Sequence, residues 1–119
     1  MSISISIKTT LIELTPALAD YTEKRLATIA KHTESIPIIA VEIGKTTMHH
    51  RNGDVFRAEV NVTTALGKQY RAVSEKLDLY EAIDDARAEI IRQLKEGKSK
   101  TQTLFRRGAK KLKNLVQGN

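Results

Sequence analysis

Three groups of side chains in this 119-residue sequence could do chemistry: a histidine pair, an acidic cluster and a run of lysines and arginines. His49-His50, with Glu42 and Asp54 available, offers donors of the kind that hold a metal ion. The spacing works against it. Adjacent strand residues project to opposite faces, and neither an HxxxH nor an HExxH pattern occurs. His32 stands apart, at the end of a helical segment. Glu81, Asp84 and Asp85 could pair as general acid and base, yet all three fall early in a helix, where the helix dipole already favours acidic residues. There is no Cys, which excludes thiolate nucleophiles, thiolate metal sites and disulfides. The six glycines are scattered, not gathered into a phosphate-cradling loop, and the three His stand in unpromising places for a Ser/His/Asp triad. The expectation is a protein that is not an enzyme, with no metal, no cofactor and no small-molecule substrate.

The cations are the remaining signal. Lys95 to Asn119 carry eight Lys or Arg and one Glu, a net +7, while the 94 residues before them carry twelve basic and thirteen acidic groups, a net −1. The whole surplus of +6 therefore sits at one end, which points to a polyanionic partner. Arg25 and Lys31 stand on a first helix. Arg92, Lys95 and Lys98 advance by three along the end of a second and form a stripe. Lys100, Arg106, Arg107, Lys110, Lys111 and Lys113 extend it. Aromatic residues are few: Tyr21, Phe56, Tyr70, Tyr80 and Phe105. Four of them fall at core spacing, so nucleic-acid binding would rely on charge and shape instead of base stacking.

The elements that position these groups are legible from periodicity. Ile3, Ile5 and Ile7 alternate with serines as in a half-buried strand. Thr15-Pro16 reads as an N-cap with Pro at the first helical position, and Leu18, Tyr21, Leu26 and Ile29 mark a helix to about His32. Ile36-Pro37 breaks it and starts a strand with Ile39, Val41 and Ile43 on one side. Asn52-Gly53 suits a tight type I′ hairpin turn. Phe56, Ala58, Val60 and Val62 define a third strand; Leu66-Gly67 turns into a fourth with Tyr70, Ala72 and Ser74. Asp78 caps a second helix, Glu81 closes a capping box, and Tyr80, Ile83, Arg87, Ile90 and Leu94 mark its face, with only Arg87 out of pattern. The fold class is α+β: a two-layer β-α-β-β-β-α domain with a four-stranded mixed sheet and both helices on one face.

The domain is expected over residues 1–97, with a basic tail over 98–119. Gly97, Ser99 and Thr101 to Thr103 weaken the helix and predict a bend or frayed stretch. Beyond them Phe105, Ala109, Leu112 and Val116 recur at helical spacing, in a segment so short that a partner is expected to order it. No signal peptide or membrane-length apolar run is present, so the cytoplasm is the expected location.

The segment Asp78-Leu79-Tyr80-Glu81-Ala82-Ile83-Asp84, followed by Arg92-Gln93-Leu94, resembles the ribosome hibernation-promoting factors, also described as ribosome-associated translation inhibitors or sigma-54 modulation proteins. Thr15-Pro16-Ala17-Leu18, Arg71-Ala72 and the hairpin His49-His50-Arg51-Asn52-Gly53-Asp54 are also similar. The resemblance spans about residues 2 to 98. It implies a fold akin to double-stranded RNA-binding domains and binding to the small ribosomal subunit, where family members overlap the mRNA and tRNA positions. Their rRNA contacts come largely from basic side chains on the helices. By position and charge, Arg25, Lys31, Arg92, Lys95 and Lys98 inherit that role.

This chain departs from the family at Thr28 and Glu89, where members often carry Lys, and the basic tail is expected to compensate. Long-form members carry a C-terminal dimerisation domain, and none of that type is expected in these 119 residues. Two other readings stay open: a general binder of structured RNA away from ribosomes, and a peripheral binder of anionic membranes through the 105/109/112/116 face. No membrane partner is expected, because that face is small.

Overall fold

In the computed structural model, residues 3–46 and 54–116 are described, with side chains as far as Gly97. Strand β1 (Ser4–Thr10) is followed by helix α1 (Pro16–Ala27), which tightens into a 3-10 segment over Thr28–His32. Strands β2 (Ile38–Lys45), β3 (Phe56–Thr63) and β4 (Gln69–Lys76) come next, then helix α2 (Leu79–Val116). The strands lie in the order β1-β2-β3-β4. β1 runs parallel to β2, as a helical crossover requires, and the remaining pairs are antiparallel. The β-α-β-β-β-α order and the mixed sheet read from the sequence are both present.

Local chemistry starts each element where expected. Thr15 accepts a hydrogen bond on Oγ1 from the Leu18 N–H at 3.1 Å, and Pro16 occupies a position with no N–H to satisfy. Asp78 caps α2 by accepting the Tyr80 N–H at 2.9 Å. Gly67 closes the β3–β4 turn at φ +81°, donating to the Thr64 carbonyl at 2.9 Å. The Asn52-Gly53 turn and the His49-His50 pair lie outside the described residues; the β2–β3 ladder ends with Lys45 opposite Phe56.

Alternation along the strands sends Ile39, Val41, Ile43, Ala58, Val60, Val62, Ala72 and Ser74 to one face, and both helices cover it. Leu18, Leu26 and Ile29 descend from the first helical stretch; Leu79, Ala82, Ile83, Ala86, Ile90 and Leu94 descend from α2. Burying this continuous apolar layer holds the domain together. Gly44 lets the sheet close: a Cβ there would lie 2.0 Å from the Thr10 carbonyl oxygen on β1.

Two expectations about α2 are corrected. The spacing predicts Tyr80 on the buried face, but the 79/83/86/90/94 row takes that face and turns Tyr80 to the rim. There it is 43% exposed and meets Tyr21 edge-on, with ring centroids 4.7 Å apart. The second correction is the bend at Gly97 to Thr103. The α-helix is continuous from Leu79 to Val116. Gly97 has a packing reason, since a Cβ there would stand 3.0 Å from the Tyr70 hydroxyl. Its missing side chain lets the helix pass close to Tyr70.

Candidate nucleic-acid interface

The cations proposed from the sequence meet different fates once the helices pack. Arg25, near the end of α1, donates from Nε to Asp84 Oδ1 on α2 at 2.9 Å. The same carboxylate accepts the Tyr21 hydroxyl at 2.8 Å. Burial and this bond together raise the Tyr21 pKa, and the Asp84 carboxylate raises that of Arg25. Arg25 is thus a tie between two helices as well as a surface charge.

Arg92 is held within its own helix. Its Nε donates to Glu89 Oε2 at 2.8 Å, a second guanidinium nitrogen pairs with Glu89 Oε1, and a third nitrogen reaches Glu96. Gln93 Nε2 also donates to Glu89, at 3.2 Å. Hydrogen bonds from Arg92 and then Gln93 pull the Glu89 pKa down to about 2, and Glu89 raises that of Arg92.

Lys31 and Lys95 are exposed, and no ion pair to either occurs among the described residues. They issue from elements that meet. His32, beside Lys31, and Leu94 and Gly97, either side of Lys95, line one groove of about 470 Å³ together with Tyr70 and Leu66. Lys98, Lys100, Arg106, Arg107, Lys110, Lys111 and Lys113 follow on the helical backbone of α2; their side chains lie beyond those described.

The sequence reading missed three features. Arg87, out of pattern on the buried face of α2, donates to Thr28 Oγ1 at 2.6 Å and to the Arg25 carbonyl at 3.1 Å. It places a positive charge at the end of α1, where the helix dipole welcomes one. Thr28 supplies the hydroxyl that accepts its bond. On the uncovered face of the sheet, Glu59 accepts from Arg71 at 2.7 Å, Arg57 at 2.8 Å and Asn61 at 3.1 Å. Those bonds, Arg71's first, lower its pKa to about 2. Finally, the grip of Glu89 and Glu96 on Arg92 could have been found, because i,i+3 and i,i+4 spacings make helical neighbours. Among the described residues there is no group of three or more potential metal ligands, and no helix is long and apolar enough to cross a membrane.

Among the described residues the arrangement offers cations at the meeting of α2 with the 3-10 segment, and α2 continues into a segment rich in Lys and Arg. The family model described as sigma 54 modulation protein / S30EA ribosomal protein matches residues 5–102. The chain belongs to this family. Among solved structures it is similar to the N-terminal domain of Thermus thermophilus Protein Y, at 30% identity and a TM-score of 0.61. That match covers 81% of this chain and 98% of the domain. A ribosomal subunit interface protein from Coxiella burnetii shares the fold at 21% identity and a TM-score of 0.66, covering 82% of this chain and 99% of its own. Comparison with curated protein sequences gives no match. As a member of the S30EA family, the chain has the family's fold from its first strand into α2, and the basic run continues past the matched segment.

Proposed function

We propose that this protein binds the ribosome and keeps idle ribosomes from initiating, occupying the mRNA and tRNA region of the small subunit through basic contacts to rRNA. The observation that carries this reading is the family match over residues 5–102. The Coxiella burnetii relative is described as a ribosomal subunit interface protein, which fits a ribosomal partner. The chemistry agrees. Tyr21 and Tyr80 are engaged with each other, and Phe56 and Tyr70 pack against the core, so these rings offer no ready stacking platform. Binding rests on phosphate contacts and shape.

In this reading residues 1–97 form the docking domain, with Arg25, Lys31, Arg92 and Lys95 toward rRNA, and 98–119 add a basic arm that acts through Lys98, Lys100, Arg106, Arg107, Lys110, Lys111 and Lys113. The protein works in the cytoplasm, without catalysis. Co-sedimentation with purified ribosomes at low and high salt tests it. Co-migration with small subunits that weakens steeply as salt rises is the expected result. Absence from every ribosomal fraction at low salt would overturn the reading, and parallel runs with duplex RNA and anionic vesicles would show which other polyanion is bound.

A further inference from the structure

Two of the arginines proposed to face rRNA are already gripped by carboxylates of the same chain, but the two grips differ in kind. Asp84 reaches Arg25 from another helix, fifty-nine residues away, and also binds the Tyr21 hydroxyl beside the Tyr21–Tyr80 ring pair. Releasing it would loosen the contact between α1 and α2. Glu89 and Glu96 grip Arg92 from one exposed helix face: the side chains of Arg92, Glu89 and Glu96 are 55%, 39% and 53% accessible. Among the described residues, the bonds to the guanidinium all come from within α2. An exposed pair of this sort contributes little to stability and is easily exchanged for another anion.

A guanidinium held at several nitrogens by carboxylate oxygens is presented to those oxygens much as it would be to a phosphate. We infer that Glu89, assisted by Glu96, is an intramolecular competitor for phosphate at Arg92 and sets how tightly the helix face of this protein holds RNA. The inference rests on the ribosome-binding reading above. Locally the trio carries two negative charges and one positive, so the middle of α2 repels a phosphate until a carboxylate swings away. Lys31 and Lys95, with no ion pair among the described residues, carry no such restraint. The departure at Glu89 thus removes more than its own charge from the surface, because it also occupies the neighbouring arginine.

A double-mutant cycle on the full-length chain tests this, with binding to purified ribosomes followed across salt concentrations and circular dichroism confirming the fold. Glu89→Gln removes the competing charge and should tighten binding about fivefold near 100 mM salt, the size of one unit-charge interaction at contact distance in water. It should also steepen the salt dependence. Arg92→Ala should weaken binding less than about twofold in the original background and about fivefold beside Glu89→Gln, a coupling that a merely structural role would not produce. Glu23→Gln, the same charge change on α1 away from Arg92, is the control. Equal tightening by Glu23→Gln and Glu89→Gln, or an equal loss from Arg92→Ala in both backgrounds, would overturn the inference while leaving ribosome binding intact. Failure of the unaltered protein to bind ribosomes at low salt would overturn both.

Discussion

Residues 1–97 and residues 98–119 handle charge in opposite ways. The first segment carries thirteen basic and fourteen acidic groups, and its structure brings many of them together: Arg25 with Asp84, Arg57 and Arg71 with Glu59, Arg92 with Glu89 and Glu96, Lys24 with Asp20, Lys45 with Asp54. The second carries seven basic groups and no acid. A folded body benefits from pairing its charges, since self-repulsion opposes compaction. An arm that meets a polyanion gains from leaving them unpaired, because each phosphate neutralised releases counterions. On the proposed ribosome-binding reading, that difference would divide two tasks along the chain, with stability in the body and most of the attraction for RNA in the arm.

Cutting the chain after Gly97 is the most direct way to break this comparison. All seven cations of residues 98–119 go, while every buried residue described, the last being Leu94, remains. Ribosome affinity near 100 mM salt should fall on the order of 10³-fold and its salt dependence should flatten. Thermal unfolding of the body should hardly move. Unchanged affinity would show that the body alone carries recognition, and the supposed compensation for Thr28 and Glu89 would be wrong.

The converse experiment damages the body and spares the arm. Gly44→Ala drives a methyl to 2.0 Å from a carbonyl oxygen of β1, where only backbone can yield. It should cost about 3 kcal/mol of unfolding free energy in urea. Salt-sensitive binding by the folded fraction should survive. A loss below about 0.5 kcal/mol would mean that β1 does not approach β2 so closely.

Acid sharpens the contrast at the uncovered sheet face. Glu59 has a folded pKa of about 2, below its ordinary value of 4.5. A depressed carboxylate contributes stability that is fully present above its unfolded pKa and is lost as pH falls from about 4.5 toward 2. Arg71 is 62% accessible, so the contribution is discounted for solvent screening to about 1 kcal/mol. Glu59→Gln should remove that part of the pH dependence in denaturation curves between pH 6 and 2. An identical pH profile for both proteins would show that the cluster adds nothing.

The smallest effect concerns an imperfection inside the body. Thr22 is fully buried, and its Oγ1 has no hydrogen-bond partner among the described residues. Thr22→Val keeps the shape and deletes the orphaned hydroxyl, so stability should rise by about 0.5–1 kcal/mol in urea unfolding. Ribosome binding should not change. A loss of stability would reveal that the hydroxyl has a partner after all.

Much of this protein was determined by the sequence alone. Period-two alternation in Ile39, Val41 and Ile43 and in Ala58, Val60 and Val62 fixes which face of each strand is buried, because a slip of one residue would invert it. Thr15-Pro16 and Asp78 fix where the helices start, through bonds made within a few residues. The charge imbalance of the arm is plain from counting. The tertiary structure alone decided what depends on distant residues meeting. Asp84 finds Arg25 across fifty-nine positions, and Arg87 leaves the apolar pattern because the end of α1 arrives beside it. Gly97 reads as a helix breaker until Tyr70 stands 3.0 Å from where its Cβ would be. Local patterns are written in adjacent residues and can be read there, whereas the partner that satisfies a buried or paired charge is chosen only when the layers close.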